Sequence, residues 1–175
     1  YSLAYDAEKD ASCKFDPEGA KKLLAEAGYS DGFDIEITTS RQQAEEWLKL
    51  AEILAADLQS IGVNATVADL DVAGYTAKFW VRDGQLLAHN YGRGNKDPVS
   101  LFGSAVVWKI GEGENVQNYY SKELEDLVIA GASTLDEAER KEIYSQVSDI
   151  LLEDMFISPV HTQPVWFEAK PEILG

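Results

Sequence analysis

The residues best placed to hold a small molecule are gathered in one stretch, Tyr91-Gly92-Arg93-Gly94-Asn95-Lys96-Asp97-Pro98. A guanidinium such as that of Arg93 favours carboxylate or phosphate through paired hydrogen bonds, although an exposed Arg in a loop reads equally well as a solvated surface group. Gly92 to Asn95 are residues that tolerate left-handed backbone angles, so they end the apolar run that precedes them. Asp97 before Pro98 has the form of a helix cap and first helical residue, which leaves free N–H groups and the positive end of a helix dipole facing the loop. His89 lies on the run entering the loop and is counted with Tyr91, Gly92, Arg93, Gly94, Asn95 and Asp97 as a candidate ligand-binding residue. The bland alternative is that the stretch is only a tight connection.

Catalytic signatures are otherwise missing. The sequence contains no phosphate-binding P-loop, no nucleophile elbow and no His-Glu-x-x-His helix. Gly92-Arg93-Gly94 lacks the third glycine of a dinucleotide fingerprint and comes too late in the chain to serve as one. His89 and His161 are far apart and read more readily as structural residues than as a base or metal ligands. No metal site and no cofactor are expected. Cys13 is the single cysteine, which rules out an internal disulfide and a cysteine-rich metal site and leaves the redox compartment open.

The elements that would position the loop alternate in type. Asp16-Pro17 opens a helix over residues 17–27, with Ala20, Leu23, Leu24 and Ala27 on one face and Gly28 at its end. Phe33, Ile35 and Ile37 alternate with polar residues as a strand over 33–38. Ser40 and Gln43 have capping-box spacing and introduce a long helix over 41–61, whose stripe is Ala44, Trp47, Leu48, Ala51, Leu54, Ala55 and Leu58. A second strand covers 63–69, and Asp71 caps a helix in which Val72, Tyr75, Phe79 and Trp80 share a face. A third strand over 86–91 leads into the loop. Strands alternating with helices of this length imply crossover units: an α/β fold with a mixed but mainly parallel sheet flanked by helices. Ligands of such sheets bind outside the carboxyl ends of the strands, where residues 91–97 would lie.

The second half changes style. Gly111-Glu112-Gly113-Glu114-Asn115 reads as a polar loop, and Tyr119-Tyr120-Ser121 leads into a helix carrying Leu124, Leu127 and Val128. Asp136 and Glu139 have capping-box spacing ahead of a second helix with Ile143, Tyr144, Val147, Ile150 and Leu151 buried, so the two helices pair as a hairpin. Pro159 and Pro164 bracket an extended segment suited to a sheet edge or a crossing between domains.

Composition bounds the partners. The 175 residues fit one domain with a sizeable core, and no run approaches the roughly 20 apolar residues of a membrane helix. Residues 1–12 show no signal peptide. With 15 Lys and Arg dispersed among 31 Asp and Glu, a net charge of −16 argues against nucleic acid and against acidic partners. Much of that acid lies at Glu45-Glu46 and from Glu137 to Glu142, and it reads as solvated helix surface.

Four segments together carry a resemblance: FDPEGAKKLLAEAGYSDGFDIEITT, AEILAADLQSIGVNATVADLDVAGYTAKFW, NYGRGNKDP and the run from YYSKELEDLVIAG to HTQPVWF. In that order and spacing, from about residue 15 to residue 167, the chain resembles the second lobe of the extracytoplasmic solute-binding proteins, family five, the peptide- and nickel-type receptors of ABC importers. The resemblance implies a lobe of the type II periplasmic-binding-protein kind spanning residues 1–175, with a first lobe missing, and no covalent chemistry. It also implies a periplasmic or extracellular location, with or without a lipid anchor. The partners it implies are a small or peptide solute bound in an inter-lobe cleft, a membrane permease and the missing lobe. In the family the loop often reads aromatic-x-x-Asp-Tyr-x-x-Pro, and its Asp holds a peptide's terminal ammonium. Here that position is Gly94 with Arg93 beside it, so an anionic or neutral group is expected near Tyr91. The competing classes are a self-standing α/β enzyme, which needs convergent acids and bases in a pocket, and an acidic protein-interaction module.

Overall fold

The structure, a computed structural model, describes residues 6–12, 14–88, 97–98, 119–155 and 157–158. Chain order among them is α1 (Ala7–Ser12), α2 (Pro17–Glu26), β1 (Asp34–Thr39), α3 (Glu45–Ser60), β2 (Asn64–Asp69), α4 (Val72–Val81), β3 (Leu86–Leu87), α5 (Lys122–Ser133) and α6 (Glu137–Asp154). The three strands form a parallel sheet in the order β2-β1-β3, with Ile35 opposite Ala65, Ile37 opposite Val67 and Leu86, and Thr39 opposite Asp69. This is the α/β lobe with flanking helices that the alternation implies.

The alternation along β1 decides which helix covers which face, because successive side chains point to opposite sides of a sheet. Ile37 packs with Ala51 and Ala55 of α3 and Ala65 of β2, with Ile35, Leu54, Leu58 and Val67 around them. The small alanines let the α3 backbone come close to the sheet. On the other face Glu36 pairs with Lys78 of α4, and the ammonium hydrogen-bonded to it holds the Glu36 carboxyl below its usual range. Trp47, Tyr75, Phe79 and Ala88 form a second core cluster with Leu70 and Leu87. At the amino end of the sheet Gly32, at φ +74°, lies so close to the Gly62 carbonyl that a Cβ would sit 1.9 Å from its oxygen. A side chain there would push β1 and β2 apart.

Three local expectations need correction. The long helix begins at Glu45, not near Arg41: Ala44 is its N-cap and makes no side-chain cap bond. The Ser40 carbonyl instead accepts from Gln43 N and Ala44 N, while Arg41 is bound to Asp69 through its backbone N–H and its side chain, so residues 41–43 are held as a turn tied to the end of β2. In α2 the cap at Asp16 is as expected, but no residue is buried and Leu23 stays exposed. In α4 the buried pair is Tyr75 and Phe79, one helical turn apart, whereas Val72 and Trp80 are exposed.

The helical hairpin follows its pattern. Leu124 and Val128 of α5 and Tyr144 and Val147 of α6 are buried together, with Leu127, Ile150 and Leu151 against them. Ser121 and Asp136 cap the two helices, accepting from Leu124 N and Glu139 N. Helix α1, for which the sequence offered no pattern, is fastened to α6 by Lys9, whose ammonium donates to the Ser145 carbonyl and hydroxyl at 2.8 Å and pairs with Asp149 at 2.6 Å. Among the described residues no helix is long and apolar enough to cross a membrane.

Candidate functional site

Parallel strands bring all three carboxyl ends to one edge of the sheet, and β1, the middle strand, organises that edge. Leu70 N donates to the Thr39 carbonyl at 2.9 Å and Ala88 N to the Thr38 carbonyl at 3.1 Å, so the chains leaving β2 and β3 are both fastened to the end of β1. Thr38, Thr39 and Ser40 are fully buried there, and the hydroxyls of Thr39 and Ser40 have no hydrogen-bond partner among the described residues. At zero exposure they are sealed from solute, so they are not contact residues in this conformation. Asp69 closes the β2 end, where the Arg41 backbone N–H and then its side chain hold the carboxyl below the usual range.

The described residues on either side of positions 89–96 are each held by a distant side chain. Before them, the Tyr75 hydroxyl donates to the Ala88 carbonyl at 2.8 Å within the core. Burial pushes the Tyr75 phenol up to about 12, so it remains a protonated donor at any physiological pH. The aromatic rings that fix Tyr75 are Trp47, with centroids 5.6 Å apart, and Phe79, at 6.2 Å. After the segment, both oxygens of Asp97 accept from Arg140 Nη2 of α6, at 2.9 and 2.8 Å, and Pro98 is fully buried.

Of the candidate residues, Asp97 alone is among those described; His89, Tyr91, Gly92, Arg93, Gly94 and Asn95 lie outside them, as do Cys13, His161 and the segment between Pro159 and Pro164. The sequence assigned the Asp97 oxygens to the N–H groups of a following helix. Residues 99 and 100 are also outside the described set, and what is seen is that Asp97 is ion-paired. Sequence reading missed Arg140 by treating 137–142 as a uniformly solvated acidic surface. The signal was its spacing: Arg140 stands four residues before Tyr144 and so heads the buried stripe. Tyr75 was read only as part of an apolar face, yet a buried Tyr ordinarily finds a partner for its hydroxyl.

An opening lies at the opposite, amino end of the sheet, lined by Asp34, Ile35, Glu36, Asn64, Thr66 and Gln85. Its polar groups already satisfy one another. Asn64 Nδ2 donates to Asp34 at 2.6 Å, and Gln85 Oε1 accepts from Glu36 N at 2.7 Å. It offers a ligand few free partners.

The family model for bacterial extracellular solute-binding proteins, family 5 Middle, matches residues 1–109. The chain belongs to that family, which is one of solute-binding proteins and not of enzymes. The dipeptide-binding protein of Escherichia coli (strain K12) is 28% identical over 166 residues, which are 92% of this chain and 31% of that protein. Heme-binding protein A of Haemophilus influenzae is 30% identical over 168 residues, 91% of this chain and 28% of that protein. Among solved structures, the PBP AgaA of A. tumefaciens R10 in complex with agropinic acid superposes with a TM-score of 0.76 at 25% identity, over 89% of this chain and 32% of that one. The chain thus spans less than a third of the length of these relatives.

Proposed function

We propose that the chain is the ligand-gripping lobe of a two-lobe receptor that serves an ABC importer in the periplasm or at the cell exterior. Solute binds in the cleft between lobes, and hinge closure presents the closed form to a membrane permease. No bond is made or broken. The observation that carries this reading is the pair of anchors around residues 89–96: Tyr75 on Ala88 before them and Arg140 on Asp97 after them. Ala88 follows the carboxyl end of β3, the side on which open α/β sheets hold their ligands.

In this reading Tyr91, Gly92, Arg93, Gly94 and Asn95, with His89 beside them, form the wall that meets the solute. Gly94 stands where a carboxylate would hold an ammonium, and Asp97 already faces a guanidinium, so the favoured solute carries an anionic or neutral group near Tyr91. The dipeptide named for one relative and the acid bound by another keep both peptide-like and other small solutes in range.

The test uses the two-lobe protein. Mass spectrometry of what co-purifies identifies the solute class, and calorimetry then compares Arg93→Ala with the parent. For an anionic solute the substitution is expected to weaken binding by ~1.5–3 kcal/mol, the worth of a charge-assisted hydrogen bond. Unchanged affinity in Arg93→Ala would remove the loop from the binding wall.

A further inference from the structure

Helix α2 has a face but no core. Its stripe of Ala20, Leu23, Leu24 and Ala27 has the spacing of a side meant for burial, yet the helix buries no residue, whereas α3, α4, α5 and α6 each bury part of theirs. Leu23 is 66% exposed, and Phe15, the residue before the cap Asp16, is 78% exposed. A large side chain at that place ordinarily packs on the fourth residue of the helix, but here that residue is Ala20, too small to cover a phenyl ring. Just past the helix Tyr29 and Phe33 meet edge to face with centroids 5.2 Å apart, and both are exposed as well. The polar bonds of α2 run to its own neighbours: Asp16 accepts from Gly19 N, Lys21 pairs with Glu18 and Lys22 with Glu26. Such exposed pairs add little. Ten residues also fall short of the roughly 12 that a helix needs to persist by itself in water, so α2 calls for an apolar surface laid over Leu23 and Phe15.

We propose that the apolar side of α2, together with Phe15, Tyr29 and Phe33, is a permanent docking surface for a part of the same receptor chain that lies outside residues 1–175. This rests on the reading of the chain as one portion of a longer receptor, and the relatives, of which it spans less than a third, supply the length. Two other occupants fit less well. A permease engages a receptor reversibly, so its docking face has to be ordered before contact, and no buried residue of α2 orders it. A second copy brings the same formal charge of −16, and two such chains repel. A cover from the same chain is held close at all times by its covalent connection. The end of the surface at Tyr29 and Phe33 borders Gly32, at the amino end of the sheet and away from the carboxyl edge of the proposed cleft, so contact there is independent of the cleft's opening.

The test is hydrogen exchange of residues 17–26, read by mass spectrometry in the two-lobe protein and in the 175-residue chain alone. Relative to the amides of α3, those of α2 are expected to exchange about ten- to a hundredfold slower in the two-lobe protein, the factor that covering one or two leucine-sized side chains supplies. Leu23→Glu should return them in the two-lobe protein to the rate of the lone chain and leave the lone chain unchanged; protection that survives this substitution overturns the proposal. Equal exchange in the two parent proteins, with the two-lobe protein still binding the solute it co-purifies with, overturns it and leaves the receptor reading standing. Protection already present in the lone chain overturns it too: if dilution removes that protection, a second copy covers the face, and if dilution does not, a segment within the 175 residues covers it. Protection in a two-lobe protein that binds no solute upholds the docking surface and sinks the receptor reading.

Discussion

The Tyr75 hydroxyl shows how much a single buried group can decide. It satisfies the Ala88 carbonyl just before the candidate loop. Tyr75→Phe would leave that carbonyl buried and unpaired, and urea unfolding should show a loss of about 1–2 kcal/mol. The same residue gives a pH signature. Below 10.0, its ordinary value, the phenol is protonated in folded and unfolded chains alike and contributes no pH dependence. Between that value and about 12, where the folded form titrates, the unfolded chain has lost its proton and the folded chain has not, so stability falls as pH rises. Comparison with Tyr75→Phe isolates this slope from that of the other tyrosines, and identical alkaline unfolding in both proteins would show that Tyr75 is not buried as described.

Among the elements, the α5–α6 hairpin depends on one absence. A Cβ on Gly131 would lie 2.7 Å from the Tyr144 ring, so the glycine is the space that the ring fills. Gly131→Ala should therefore destabilise by ~1–2 kcal/mol, overpacking outweighing the better helix propensity of Ala. The cost should shrink in a Tyr144→Leu background; a stabilising Gly131→Ala would mean that the helices slide apart freely. The hairpin was legible because its stripe is long and its cap at Asp136 local, and the β1-α3-β2 unit because its strand alternation and the long stripe of α3 are periodic. What was not legible depended on distant partners. The start of α3 was set by Asp69 binding Arg41 across 28 positions, and the apolar stripe of α2 gave no hint that no described residue of that helix is buried. The Asp97 partner was hidden for the same reason, since Arg140 is 43 positions away.

For the molecule as a whole, one wall of a cleft should be a poor binder. An inter-lobe site buries its ligand only when both walls are present, and a single wall leaves contacts half made and open to water. Calorimetry of the 175-residue chain alone is expected to show no sub-micromolar peptide binding, and finding it would contradict the two-lobe reading. The parallel sheet has a further consequence. Its interior contacts, Ile37 with Ala51, Ala55 and Ala65, lie behind the edge at which the strands open. Turns at that edge can be rewritten without disturbing those contacts. Evolution can therefore alter those turns and keep the frame, provided that the ties of Tyr75 to Ala88 and of Arg41 to Asp69 at that edge survive.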